Sequence, residues 1–201
     1  MMSAQVTIRD LVTMRTGLPR HDWMWIENPI DRAEMVDKLR HLAVSAGMRE
    51  RFQYNNLTSS AAGHVAELAT GRSWEELVRS RILEPLEMTS TGLHLPEAGN
   101  VTSSYYENSN RELAVTKRLR TAVTAPSGGS IHSTVEDMAR WVLFNLNAGA
   151  VDGRELICAR TLANIHTPQL IATGEPGAPT PNAAYAMGWF VDHYNGIHRV
   201  S

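Results

Sequence analysis

In Arg51-Phe52-Gln53-Tyr54-Asn55-Asn56-Leu57 the chain changes character, from an extended run to the first turn of a helix. Downstream, Leu57, Ala61, Val65, Leu68 and Ala69 recur at helical spacing, and Gly71 supplies a stop. A phenol and a carboxamide, Tyr54 and Asn56, therefore fall at a helix N-terminus, a position suited to anionic or polarised groups. On spacing alone two readings stay open: a half-buried tyrosine beside an asparagine cap, or the two polar groups of a site. Tyr-x-Asn recurs at Tyr106-Glu107-Asn108, in a polar stretch that reads as loop, so the triplet by itself carries little.

Working outward, helices dominate. Thr7 with Asp10 caps a short helix that runs toward Gly17-Leu18-Pro19. Asn28-Pro29 is read as a cap and first helical residue. The spacing of Ile30, Ala33, Val36, Leu39 and Leu42 then predicts a helix that closes near Gly47. Ser73 with Glu76 opens another helix, which Pro85 ends. Ser133 with Glu136 opens the next, with Val135, Met138, Val142 and Leu146 on one side and Gly149 at its end. A shorter helix is predicted over Ala159 to Ile165. The Gly- and Pro-rich run from Gly174 to Pro181 reads as a loop. Tyr185 to Val191 reads as a strand, and Asn195-Gly196 as a two-residue hairpin turn into Ile197. No other sheet is expected to receive that hairpin, which makes 1–201 read as one incomplete domain.

Composition narrows the class. The 201 residues are 43% hydrophobic with a formal charge of -2, which suits a packed globular protein and gives no broad cationic field for nucleic acid. Lys117-Arg118-Leu119-Arg120 reads as a solvated strand or loop face. One cysteine, Cys158, leaves no internal disulfide, and no apolar run approaches membrane-spanning length. No His-Glu-x-x-His or paired Cys-x-x-Cys occurs, so neither a metal nor a cofactor is expected. Gly-x-Ser-x-Gly and Gly-x-Gly-x-x-Gly are absent too, against an α/β-hydrolase elbow and a dinucleotide fold. Localisation stays open.

The flanks of Tyr54 resemble a known group. Thr7-Ile8-Arg9-Asp10-Leu11 through Thr16-Gly17-Leu18-Pro19-Arg20-His21-Asp22, then Phe52-Gln53-Tyr54-Asn55-Asn56, Thr70-Gly71-Arg72-Ser73-Trp74 and Ile82-Leu83-Glu84-Pro85-Leu86, follow in order the pattern of the β-lactamase-related serine hydrolases. These include class C β-lactamases, D-amino-acid peptidases and related esterases, and they are penicillin-binding-protein-like. Ala125-Pro126-Ser127-Gly128-Gly129-Ser130 resembles their Gly-Gly segment, and Tyr185-Ala186-Met187-Gly188-Trp189-Phe190 the strand before their last motif. The family often has His where this chain has Met14, and Gly where it has Glu87, which would strain that turn.

The resemblance implies an α+β fold, β-lactamase/transpeptidase-like, of which this chain is mostly the helical part plus a C-terminal β-hairpin. It implies acyl transfer: a serine attacks an amide or ester carbonyl, and water releases the acyl-enzyme. Tyr54 would relay the proton, and Asn56 would hold the family's lysine and the substrate carbonyl. A free phenol is protonated near neutral pH, so such a relay needs neighbouring cations. Gly128 and Gly129 could line the substrate cleft or form a tight turn, and Trp23 and Trp25 could wall a pocket or anchor a core. Arg20-His21-Asp22 contains an adjacent His and Asp, which reads as a turn.

Two of the family's motifs have no counterpart. The only lysines, Lys38 and Lys117, are preceded three residues earlier by Met35 and Ala114, so no Ser-x-x-Lys exists. None of the eight histidines is followed two residues later by glycine, and no Lys-Thr-Gly occurs. The expectation is a piece of a serine hydrolase for a small-molecule or short-peptide substrate (a β-lactam, a D-amino-acid peptide or a small ester), inactive as it stands. The rival is a non-catalytic relic or binding module. By itself the chain should expose apolar surface and be either marginally soluble or self-associating.

Overall fold

The computed structural model describes residues 4–26, 28, 30–94, 101–116, 131–173 and 182–201. Gly128, Gly129, Lys117-Arg118-Leu119-Arg120 and the Gly174 to Pro181 loop lie outside them.

Helix α1 spans Ile8–Val12, capped as expected: the Thr7 hydroxyl accepts from the Asp10 N–H, and the Asp10 carboxylate accepts from the Thr7 N–H. It ends well before Gly17, because Met14 adopts φ +58 and turns the chain. Helix α2, Arg32–Lys38, starts later than Asn28-Pro29 suggested, since Asp31 is its cap and accepts from the Glu34 N–H at 2.7 Å. Asn28 instead donates back to the Met24 carbonyl. Past Lys38 the helix tightens into a 3₁₀ turn, Leu39–His41, and does not reach Gly47.

Helix α3, Asn56–Thr70, ends on Gly71 in the left-handed region at φ +67, the conformation for which glycine carries no Cβ penalty. Helix α4, Trp74–Val78, has the Ser73–Glu76 capping box and continues as a π turn, Arg79–Leu83, up to Pro85. Helices α1 and α2 both pack on α3. Glu87 sits at φ +53 and pairs with Arg140 at 3.0 Å.

Tyr106 and Glu107, read from the sequence as loop, belong to strand β1, Tyr105–Glu107, which pairs antiparallel with β2, Leu113–Val115. Helix α5, Val135–Leu146, is capped one residue later than Ser133. Thr134 accepts from the Asp137 N–H, while the Ser133 hydroxyl bonds to that of Thr91. A small hairpin of β3, Ala150–Val151, and β4, Arg154–Glu155, follows. Helix α6 then runs Ala159–Ile165, as the sequence indicated.

The C-terminal part corrects the sequence reading most. A strand that the sequence did not reveal, β5, Leu170–Thr173, opens a four-stranded antiparallel sheet in the order β5-β6-β7-β8. Its partners are β6, Asn182–Tyr185; β7, Phe190–Tyr194; and β8, Ile197–Val200. Tyr185 to Val191 is thus two strands and a turn, broken where Gly188 takes φ +84. The Asn195-Gly196 turn has φ +50 and +78, the doubly positive pair that matches strand twist.

Among the described residues, three apolar clusters hold these elements. Leu83, Leu86, Met88, Leu93 and Phe144 join α5 to the segment after α4. Ile30, Met35 and Leu57 join α2 to α3. Met14, Ala172 and Tyr185, with Phe52 and Tyr54 against them, join the sheet to the approach to α3. Tyr54 thus stands where helical body and sheet meet.

Candidate active site

The turn into α3 is built by Asn55. Its side chain is fully buried. Its amide oxygen accepts from the N–H of Leu57 at 2.9 Å and of Thr58 at 3.4 Å, while its amide nitrogen donates to the carbonyls of Leu18 and Pro19. The asparagine cap is therefore residue 55, and Asn56, the first helical residue, has its side chain released from capping. That amide nitrogen donates to Asp22 Oδ1 at 3.0 Å. A carboxylate can only accept, so the bond fixes which end of the amide faces it and leaves the Asn56 oxygen for a donor.

Asp22 also accepts from Trp25 Nε1 at 3.3 Å and is paired with Arg20. The Arg20 guanidinium lies 5.2 Å from the centroid of the Tyr54 ring. Residues 20 to 25 thus tie Tyr54 and Asn56 into one network. No local sequence signal marks the role of Asp22, which lies 34 residues from Asn56. The adjacent His21 only precedes a 3₁₀ turn, Asp22–Met24, without a capping bond.

A second aromatic wall comes from the sheet. Tyr185 is buried and meets the Tyr54 ring edge-on at 6.5 Å. Burial pushes the Tyr185 phenol above its ordinary range, with Tyr54 adding to the effect. Below these rings lies a cavity of about 450 Å³, lined by Met14, Tyr54, Ala62, Gly63, Trp74 and Tyr185 among others. A larger apolar cavity of about 600 Å³, reaching Trp141 and Trp189, shares Ala66 and Trp74 with it. From α3, Ser59, Ala62, Gly63 and Ala66 line the smaller cavity with small side chains.

Trp23 is 84% exposed and lines neither cavity. Trp25 is half-buried and packs on the Ile30–Met35–Leu57 cluster. Among the described residues no group of three or more metal-ligating side chains occurs, and no helix is long and apolar enough to cross a membrane.

A second feature supports the site from behind. The fully buried Asp10 carboxylate receives Arg15 Nε at 2.7 Å, Arg49 Nε at 3.0 Å and Arg49 Nη2 at 2.7 Å, besides the hydroxyl and N–H of Thr7. The Arg49 bonds first, then those of Thr7 and Arg15, hold its titration well below the usual carboxylate range. The cluster clamps α1 to the strand-like approach to Tyr54.

A helical body laid against an antiparallel sheet, with Tyr54 and Asn56 at their junction, is the β-lactamase/transpeptidase-like architecture. The chain belongs to the Beta-lactamase family, whose model matches residues 3–200. It is similar to an unguisins hydrolase of Aspergillus campestris, 28% identical over 97% of this chain and 37% of the relative. Among solved structures it superposes on an octameric penicillin-binding protein homologue from Pyrococcus abyssi with a TM-score of 0.78, at 21% identity over 97% of this chain and 45% of that one. A D-amino acid amidase from Ochrobactrum anthropi gives 0.73, at 20% identity over 98% of this chain and 58% of that one. At such identity the superpositions show the fold alone. The chain spans less than two thirds of the length of each.

Proposed function

We propose that residues 1–201 are the central, single incomplete domain of a serine hydrolase that works through an acyl-enzyme on an amide or ester carbonyl. Its substrate would be a β-lactam, a D-amino-acid peptide or a small ester. The observation that carries this is the network placing Tyr54 and Asn56 together at the start of α3, through Asp22 and Arg20. Tyr54 would pass the serine proton to the leaving group, and Asn56 would offer its amide oxygen to the activating lysine. Gly128 and Gly129 would border the substrate, with Trp23 at the outer rim. A relative named as a hydrolase supports hydrolysis as the reaction. The nucleophile would come from sequence outside this chain and approach along the small-residue face of α3.

By itself the chain is proposed to be catalytically silent and to self-associate. Val135, Met138, Val142 and Leu146 of α5, and Ile171 and Ile197 of the sheet, are all exposed. Light scattering that finds only monomer at high concentration refutes the association.

The test of function is the DNA on both sides of the reading frame. Ser-x-x-Lys upstream and Lys-Thr-Gly or His-x-Gly downstream support the hydrolase. The longer chain should then hydrolyse a chromogenic β-lactam, a D-amino-acid amide or an ester, and Tyr54→Phe should lower kcat by about 10² or more. Unrelated sequence or stop codons on both sides refute it and leave the binding-module reading.

A further inference from the structure

The β7–β8 hairpin carries a feature separate from the Tyr54 cleft and independent of the hydrolase reading. His193 and His198 are direct register partners across the Asn195-Gly196 turn, and both are exposed. Their ring centroids stand 5.2 Å apart, with the planes at 64°. Two imidazoles bound to one ion, each nitrogen at about 2.0–2.1 Å in tetrahedral geometry, have centroids about 5 Å apart. The pair already holds that separation.

The hairpin is also stiffened. The turn has the doubly positive φ pair that fixes a two-residue loop. One residue further from the turn, Asp192 receives Arg199 Nε at 2.9 Å and Nη2 at 2.7 Å, a bidentate cross-strand bond. The same guanidinium lies 5.9 Å from the Tyr194 ring centroid. Register slippage, which would separate the imidazoles, is opposed by all three, so little ordering entropy remains to be lost on binding.

We infer that His193 and His198 form a two-imidazole chelate for a divalent transition-metal ion such as Zn²⁺ or Ni²⁺, with solvent completing the coordination. With no third ligand in reach among the described residues, the site is open and exchangeable, unlike a closed structural zinc site. Oxygen-seeking ions such as Mg²⁺ and Ca²⁺ are not its ligands. The competing account, an edge-to-face ring pair that only packs, gives no metal binding.

The test is calorimetric titration of zinc sulfate into the EDTA-treated chain at pH 7.5, with Cys158→Ser throughout so that the thiol cannot bind. One ion per chain is expected in the parent. His193→Ala and His198→Ala should each weaken binding at least tenfold, and the double variant should lose little more, because either change alone destroys the chelate. Melting in EDTA checks each fold, and His193→Asn and His198→Asn replace any alanine variant that fails to fold. No binding by the parent, or undiminished binding by folded single variants, overturns the inference.

Discussion

Replacing Asp10 by Asn removes the charge at the buried clamp behind Tyr54 while keeping its shape. In the native chain the carboxylate accepts five hydrogen bonds, from the N–H and hydroxyl of Thr7, from Arg15 Nε, and from Arg49 Nε and Nη2. An amide in its place keeps one acceptor oxygen and turns two N–H donors toward donors. A net charge-assisted bond contributes about 1.5–3 kcal/mol. The Arg49 side chain is 46% exposed, so its share is heavily screened and is left out of the sum. The Arg15 bond and the weakened α1 cap remain, which together give a loss of about 3 kcal/mol. For a chain of this size that lowers Tm by roughly 6–12 °C.

Far-UV circular dichroism of dilute protein at neutral pH measures the shift, and pH supplies the sharper control. Because folding depresses the Asp10 titration, its stabilisation is complete above the unfolded carboxylate value of about 4 and is lost as pH falls toward the folded one. The gap between native and Asp10→Asn chains should therefore be flat from neutral pH down to about 5 and close only in stronger acid. A difference below about 1 kcal/mol, or a gap that closes between pH 5 and 8, would refute the account of this carboxylate as the charged centre of the clamp.

Two further outcomes follow from the same structure. Asn55→Ala removes a buried cap together with two bonds to the carbonyls of Leu18 and Pro19, and should cost about 2–3 kcal/mol in urea unfolding; a loss under 1 kcal/mol contradicts the tether. Glu87→Gly relieves a left-handed residue, worth about 1 kcal/mol, and gives up an exposed pair with Arg140 worth less. A gain of about 0.5 kcal/mol is expected, and a clear loss would mean the ion pair outweighs the backbone.

The parts legible in the sequence were those set by neighbours within three or four residues. Thr7 with Asp10, Ser73 with Glu76, and Gly71 announced their helix ends because the bonding partners lie within one turn. Ser133 misled by one position, since its hydroxyl is taken by Thr91, far away in the chain. Leu170–Thr173 gave no alternation long enough to mark a strand, and only pairing with Asn182–Tyr185 defines it. The family order of segments pointed to Tyr54 and Asn56 as candidates, yet Asp22 and Tyr185 stayed hidden because their approach depends on the packing of three separate regions. That the cap is Asn55 and not Asn56 was equally beyond reach, since two adjacent asparagines are equivalent until the backbone chooses between them.

Asn55 has one more consequence. Its amide grips the main chain of residues 18 and 19 with one end and the opening of α3 with the other. The loop that carries Arg20 and Asp22 and the helix that carries Asn56 therefore move as one piece. A substitution that reshapes the backbone at Leu18 or Pro19 would swing Tyr54 and Asn56 without contacting either. On the proposed hydrolase reading, that loop is a steering handle hidden outside the cleft.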